Sequence, residues 1–309
     1  MTPDPIWQAW PVPSLAILGP GGVGGFLAAV LARAGEDVTV VARPQTAQLI
    51  DRRGISVDSV RFGKFSARPA ATAELGTPVT FLLVATKATT LDGALRRIET
   101  QPQLVVPLLN GLDHMALLRE RFGNERVAAG SIRIEADRPE PGLVVHSSPF
   151  LRVDLATDDP ALAPAVTELR ALLERAQVPA QIGASEAQVL WSKLVRLAPL
   201  ALTTSVAERP IGFIRSDPRW RGVLESAIRD AAAVASADGA HIDPERPLAE
   251  LDAAHETLSS SMQRDLAAGR PPELAIPGAV LNAARRHGLE CPTIQGLTEQ
   301  IERRAAART

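Results

Sequence analysis

The sequence predicts an α/β fold: an N-terminal Rossmann-type, doubly wound parallel sheet followed by an all-helical C-terminal domain. Three observations carry this reading. Short apolar runs alternate with helical stretches through the first half, which is the pattern of strand–crossover–strand units. A glycine-rich turn, Gly19-Pro20-Gly21-Gly22-Val23-Gly24, separates the first apolar run from the first helix. From about Ser185 onward only helical periodicity remains, cut by glycine and proline breaks.

Each element has its own signal. Ser14–Leu18 is a short apolar run that reads as a buried parallel strand. Val23–Arg33 reads as a helix closed by Gly35, and the valine-rich Asp37–Ala42 as the next strand. Thr80–Ala85 and Leu104–Leu109 are further buried strands, with helical stretches at Thr89–Ile98 and His114–Phe122. Beyond them, Ala128–Ala136, Gly142–Ser147 and Leu151–Ala156 read as strands joined by polar or proline turns, and Ala161–Ala176 as a helix. Helices are expected at Ala187–Leu202, Pro218–Asp238, Leu248–Ala268 and Ile276–His287. The boundary is placed near Gly183. That gives an irregular arm over 1–13, a nucleotide-binding domain over 14–183 and a helical substrate domain over 184–309.

Composition narrows the class. The 309 residues are 46% hydrophobic and 22% charged, as in ordinary globular proteins, and the net charge of -2 points to neither nucleic acid nor an anionic membrane as partner. A single cysteine, Cys291, rules out an internal disulfide and reads as a packing thiol. No apolar stretch reaches the roughly 20 residues that span a bilayer, and the first residues lack a basic start and an apolar run. A cytoplasmic enzyme is expected. The chain has no tyrosine, so acid chemistry that depends on one is excluded.

The glycine turn fits G-x-G-x-x-G in the context that gives the motif meaning: after a strand, opening a helix, inside a strand–helix–strand unit. Gly19 permits the tight turn, Gly21 lets a pyrophosphate approach the backbone, and Gly24 lets the helix pack on the strand. Pro20, Gly22 and Val23 supply backbone around the phosphates at the positive end of the helix. The second strand ends Val40-Val41-Ala42-Arg43, with no acid to hold a ribose 2′-hydroxyl. Arg43 instead suits a 2′-phosphate, which selects NADP(H) over NAD(H).

Further segments resemble the 2-dehydropantoate 2-reductase (ketopantoate reductase) family over nearly the whole chain after residue 14. These are Arg43-Pro44-Gln45, Val84-Ala85-Thr86-Lys87-Ala88, Asn110-Gly111-Leu112, Trp191-Ser192-Lys193-Leu194, and Ser260-Ser261-Met262 followed by Glu273. The resemblance implies an NADPH-dependent reduction of the carbonyl of a small 2-oxo acid. By the same resemblance, Lys193 is the general acid and Glu273 the carboxylate partner of the lysine or of the cofactor–substrate pair. Ser261 holds the substrate carboxylate, Asn110 lies near nicotinamide and substrate, and Lys87 and the Ala136 backbone contact the cofactor. The residues support Lys193 independently, since Val189, Leu190, Leu197 and Leu200 share its helix face and lysines are seldom buried.

The sequence departs from the family at the substrate asparagines. Leu197, Ala201 and Ile211 stand in their place, and no asparagine occurs between Asn124 and Asn282 to restore them. Pro199 also enters this helix, where it is expected to kink. The pocket is therefore read as more apolar than ketopantoate needs. Two alternatives stand beside this reading: authentic ketopantoate reduction in pantothenate biosynthesis with unconventional contacts, and a non-catalytic NADP-binding sensor. A homodimer is left open.

Overall fold

In the computed structural model, residues 13–307 are described. The arm read over 1–13 lies almost wholly outside them. The chain divides into two compact units. One runs to Leu109 and resumes over His114–Glu186; the other takes Asn110–Asp113 and everything from Ala187 onward.

The first unit is built on the expected parallel sheet. Strand β1 (Ser14–Leu18) leads through the glycine turn into helix α1 (Gly22–Arg33) and strand β2 (Asp37–Val41). Helix α2 (Pro44–Arg53) follows; proline at its first position fits, because the missing N–H would have no helical acceptor there. Strands β3 (Ile55–Ser59), β4 (Gly63–Ala67), β5 (Ala70–Thr72) and β6 (Phe81–Val84) precede a short helix α3 (Leu91–Leu95) and strand β7 (Leu104–Pro107). The main sheet has the order β5-β2-β1-β6-β7 with every pairing parallel. β6, and β1 after its first residue Ser14, are apolar and buried because the sheet is covered on both faces.

Helix α4 (His114–Phe122) then leads to a second sheet. Strands β8 (Ala129–Glu140) and β9 (Leu143–Ala156) form a long antiparallel hairpin with register shifts between Ile134 and Ala136 and between Asp137 and Glu140. The two strands expected at Gly142–Ser147 and Leu151–Ala156 are therefore one. Pro149, which suggested a break, is accommodated inside a single strand whose opposite edge pairs with β3 at one end and with β10 (Ala180–Ile182) at the other. Helix α5 (Ala163–Arg175) precedes β10. Phe26, Leu27 and Leu31 of α1 are fully buried, and burial of side chains this size contributes about 1.5–3 kcal/mol each.

The second unit is helical. It comprises α6 (Glu186–Ala207, with Glu186 itself in the first unit), α7 (Ile211–Ser216), α8 (Pro218–Ala237), α9 (Glu245–Asp252), α10 (Ser261–Ala267), α11 (Ala275–Arg286) and α12 (Pro292–Ala306). The helix expected over Leu248–Ala268 is two, α9 and α10. The segment between them leaves helical geometry, and the buried Ser260 starts α10 by accepting the Gln263 N–H at 3.0 Å. α6 runs on through Pro199 as one helix. The core centres on Trp191, Leu194, Val195 and Ala198 of α6, packed with buried residues of α7, α8, α11 and α12. Cys291 is buried, and burial pushes its thiol up to about 11, in keeping with a packing role.

Candidate active site

Within the first unit the glycine turn is shaped by three different demands. Gly19 has φ +93°, a left-handed backbone that favours glycine. At Gly24 an added Cβ would sit 2.2 Å from the Gly19 carbonyl oxygen and 3.0 Å from Ala85 Cβ, so this glycine lets α1 close onto its own turn and onto the end of β6. Gly22 is closed in as well: a Cβ there would lie 1.9 Å from the Ala136 carbonyl oxygen. Gly21 is different. Its Cβ would meet nothing nearer than the Ala85 carbonyl oxygen at 4.0 Å, and its backbone is not left-handed. Internal packing does not require glycine at 21, and the space a side chain would fill lies open beside the first turn of α1.

That turn carries no side-chain cap and no acidic residue, so its N–H groups and the positive helix end are available to an anion. The residues present therefore fit a dinucleotide pyrophosphate. Ala136 belongs to this region through the contact of its carbonyl with Gly22, which brings a residue more than a hundred positions away onto the turn. Lys87, exposed, follows β6. Arg43, also exposed, is the cap residue of α2 just after β2.

The remaining candidates lie in the second unit. Lys193 is half-buried on α6, between the buried Trp191 and Leu194. Of the apolar residues on its face, Val189 and Leu200 are buried while Leu190 and Leu197 are half-buried. The wall read as Leu197, Ala201 and Ile211 is corrected here. Ala201 is 1% exposed and Ile211 0%, both inside the helical core, so only Leu197 presents surface. The spacing of four residues put 197 and 201 on one stripe, but the stripe turns into the core within a single turn of helix. Ser261 is exposed at the first position of α10. Its neighbour Ser260 takes the buried work, capping the helix and sharing a 3.0 Å hydrogen bond with Thr204 Oγ1.

Asn110 and Glu273 meet directly: Asn110 Nδ2 donates to Glu273 Oε2 at 3.3 Å. They meet because Asn110–Asp113 leaves the sheet after β7 and lies on α11. Gly111, at φ +91°, would place a Cβ 3.1 Å from the Ala275 carbonyl oxygen, and Asn282 Nδ2 donates to Asp113 at 2.8 Å. Ala275, Ala279 and Asn282 are spaced four and three residues apart, one face of α11. Sequence reasoning missed this docking; Asn282, a lone asparagine on a helix, was its only visible sign. Among the described residues no group of three or more His, Cys, Asp or Glu is arranged to hold a metal. No helix of the described residues is long and apolar enough to cross a membrane.

A parallel sheet with a glycine turn opened at its second glycine, followed by a helical unit bearing lysine, asparagine and glutamate, defines a nicotinamide-dinucleotide-dependent oxidoreductase. Comparison with known proteins gives the family. The model for ketopantoate reductase PanE/ApbA matches residues 15–156, and that for its C-terminal part matches residues 187–305. The chain belongs to the ketopantoate reductase family, whose members are NADP-dependent oxidoreductases acting on the C=O and CH–OH groups of a keto acid. It is 29% identical to the 2-dehydropantoate 2-reductase of Caulobacter vibrioides, covering 90% of this chain and 94% of that one. A solved 2-dehydropantoate 2-reductase from Geobacter metallireducens superposes with a TM-score of 0.85 at 26% identity, covering 94% and 99% of the two chains. A D-mandelate dehydrogenase solved with NADH and anilino(oxo)acetate shares the fold, with a TM-score of 0.87 at 18% identity over 96% and 99%.

Proposed function

We propose that the chain reduces the carbonyl of a small 2-oxo acid with NADPH, and that the acid carries an apolar group where ketopantoate carries its hydroxyl. The observation that carries the substrate reading is Leu197, half-buried one helical turn beyond Lys193, at a position where the family resemblance implies an amide. A substrate hydroxyl set against Leu197 would lose water without gaining a partner, at a cost of about 1–3 kcal/mol. With Ala201 and Ile211 withdrawn into the core, Leu197 alone is asked to make this discrimination. The D-mandelate dehydrogenase of the same fold was solved with anilino(oxo)acetate, an oxoacetate that carries an aromatic group.

Reduction takes its hydride from bound NADPH. The open face at Gly21 and the uncapped turn of α1 would hold the pyrophosphate, and the Arg43 guanidinium would pair with the 2′-phosphate. Lys193 Nζ stabilises negative charge growing on the carbonyl oxygen and gives up a proton to it. Glu273, oriented by Asn110 Nδ2, keeps a negative charge available to a protonated amine. Ser261, exposed at the start of α10, offers a hydroxyl to the substrate carboxylate. The test is the specificity constant for ketopantoate against its analogue lacking the hydroxyl, both with NADPH. The analogue should be favoured by about tenfold or more. A tenfold preference for ketopantoate would overturn the apolar reading and leave the family reading standing.

A further inference from the structure

We infer that Asp238 is a positioning residue for the reaction: by holding the Trp191 indole it fixes the rotation of α6 and so the direction in which Lys193 is presented. The inference rests on the reading of Lys193 as proton donor.

Trp191 stands two residues before Lys193 and is 0% exposed. Its Nε1–H donates to Asp238 Oδ2 at 2.8 Å. Asp238 terminates α8, and its other oxygen, Oδ1, meets His287 Nε2 at 2.8 Å and Arg286 at 3.5 Å, both at the end of α11. One carboxylate therefore ties the ends of two helices to the second turn of a third. One turn earlier on α6, Gln188 grips the same connection. Its Oε1 accepts from the His241 backbone N–H at 2.9 Å, and its Nε2 donates to the His241 carbonyl at 3.2 Å.

Gln188 and Trp191 are three residues apart and share a face; Lys193 lies about 200° round the helix from Trp191. The gripped face and the lysine face are thus nearly opposite, and what holds one sets the azimuth of the other. The lever is long. With Nζ roughly 8 Å from the helix axis, a rotation of about 10° moves it by about 1.4 Å, and an ångström of misplacement can cost about a hundredfold in rate.

Packing alone does not ask for a carboxylate here. A buried indole N–H needs an acceptor, which a carbonyl would supply. A negative charge beside two helix C-termini is unfavourable by itself. Burial pushes the Asp238 carboxyl up, but the hydrogen bonds from His287 and Trp191 and the Arg286 charge outweigh this and hold it below the ordinary carboxylate range. The ionised group then grips the indole with a bond roughly twice as strong as a neutral one.

The experiment compares Asp238→Ala, Trp191→Phe, their double variant and Asp238→Asn in the full chain, assayed well below each Tm. Asp238→Ala and Trp191→Phe should each lower kcat about tenfold or more, with NADPH Kd and substrate KM within about twofold of wild type. The double variant should be no worse than either single one, because both remove the same link. Asp238→Asn keeps an oxygen for the indole and should recover kcat to within about threefold of wild type. Unchanged kcat in the single variants, or effects that multiply in the double, would overturn the inference. Should Asp238→Ala fail to fold, the kcat-against-KM split of Trp191→Phe decides. Lys193→Ala separates the two levels. If it turns over normally, the reading of Lys193 fails; if it is inactive while Asp238→Ala and Trp191→Phe are normal, only the positioning fails.

Discussion

In the first unit six consecutive residues, Gly19 to Gly24, form the turn proposed to take the dinucleotide, and its glycines meet different demands of backbone and packing. In the second unit the candidate residues come from three separated stretches: Asn110 at a strand end, Lys193 and Leu197 on α6, and Ser261 and Glu273 around α10 and α11. The first arrangement is local in sequence and fixed by backbone geometry. The second exists only after helices have packed, and it depends on side-chain links such as Asn110 with Glu273 and Asn282 with Asp113. The phosphates of a dinucleotide are the same for every enzyme that binds one, so a backbone turn suffices for them. An acid substrate varies, and the residues that meet it are placed by tertiary structure.

The sharpest way to break this contrast is to take binding and chemistry apart. Lys193→Ala should lower kcat by about 10²-fold or more, while NADPH binding, measured by fluorescence quenching, stays close to wild type. A variant that turns over normally, or that loses NADPH with equal severity, would show that the two units do not divide the work in this way.

A second effect tests the three demands inside the glycine turn. Gly24→Ala forces a Cβ into the Gly19 carbonyl and should lower the Tm of the ligand-free protein by about 5 °C or more. Gly21→Ala meets no protein atom closer than 4.0 Å. It should leave that Tm within about 1 °C and still weaken NADPH binding about tenfold or more. If both variants behave alike, the open space at Gly21 is not where the pyrophosphate goes. Smaller again is the Arg43 effect: Arg43→Ala should raise the KM for NADPH about tenfold and leave that for NADH little changed. Equal changes for both cofactors would remove the 2′-phosphate assignment.

The smallest expected effect contrasts a buried ionisable group in the first unit with a half-buried one in the second. In the first, His146 is 1% exposed, its ring 4.7 Å from Phe26 and its Nδ1 2.8 Å from Ser59 Oγ. Ser59 Oγ accepts the backbone N–H groups of Arg61 and Phe62, so its own proton points to the ring. Burial pulls the His146 pKa down, with the Arg61 charge adding to this and the Phe150 carbonyl opposing it. In the second unit Asp238 is also held below its ordinary range. Both depressions contribute stability that is present above the unfolded-state pKa and lost as pH falls toward the folded one. The windows differ: for His146 the loss begins below about pH 6.5, and for Asp238 only below about pH 4. Calorimetry from pH 8 to pH 5 should therefore show a fall in Tm that is smaller in His146→Gln than in the wild type. An identical pH slope in the variant would remove the role of His146.

Read without the structure, the chain already declared its parallel sheet, because the apolar runs of β1, β6 and β7 and the valine-rich β2 alternate with helical stretches in the way that a sheet covered on both faces requires. The glycine turn was legible for the same local reason: positive φ, close approach and helix packing each demand a residue without a side chain, in fixed order. The second sheet was half legible, since β9 is one strand in which Pro149 falls at an irregularity of its pairing with β8 rather than at a chain break. Leu248–Ala268 reads as one helix in sequence, yet α9 stops at Asp252 and Ser260 starts α10 anew by capping it.

The sequence by itself determined the fold class, the nucleotide turn, the missing acid at the end of β2 and the family, because these rest on period, backbone conformation and short motifs. Only the tertiary structure decided which residues of α6 and α7 keep a surface. Leu197, Ala201 and Ile211 look equivalent in sequence, yet the core takes the last two. Tertiary structure also decided that Asn110–Asp113 lies with the helices and that Asp238 holds Trp191. Side-chain links between positions 47 and 163 residues apart leave no periodic trace in the chain, because they follow from how the elements pack rather than from how each one forms.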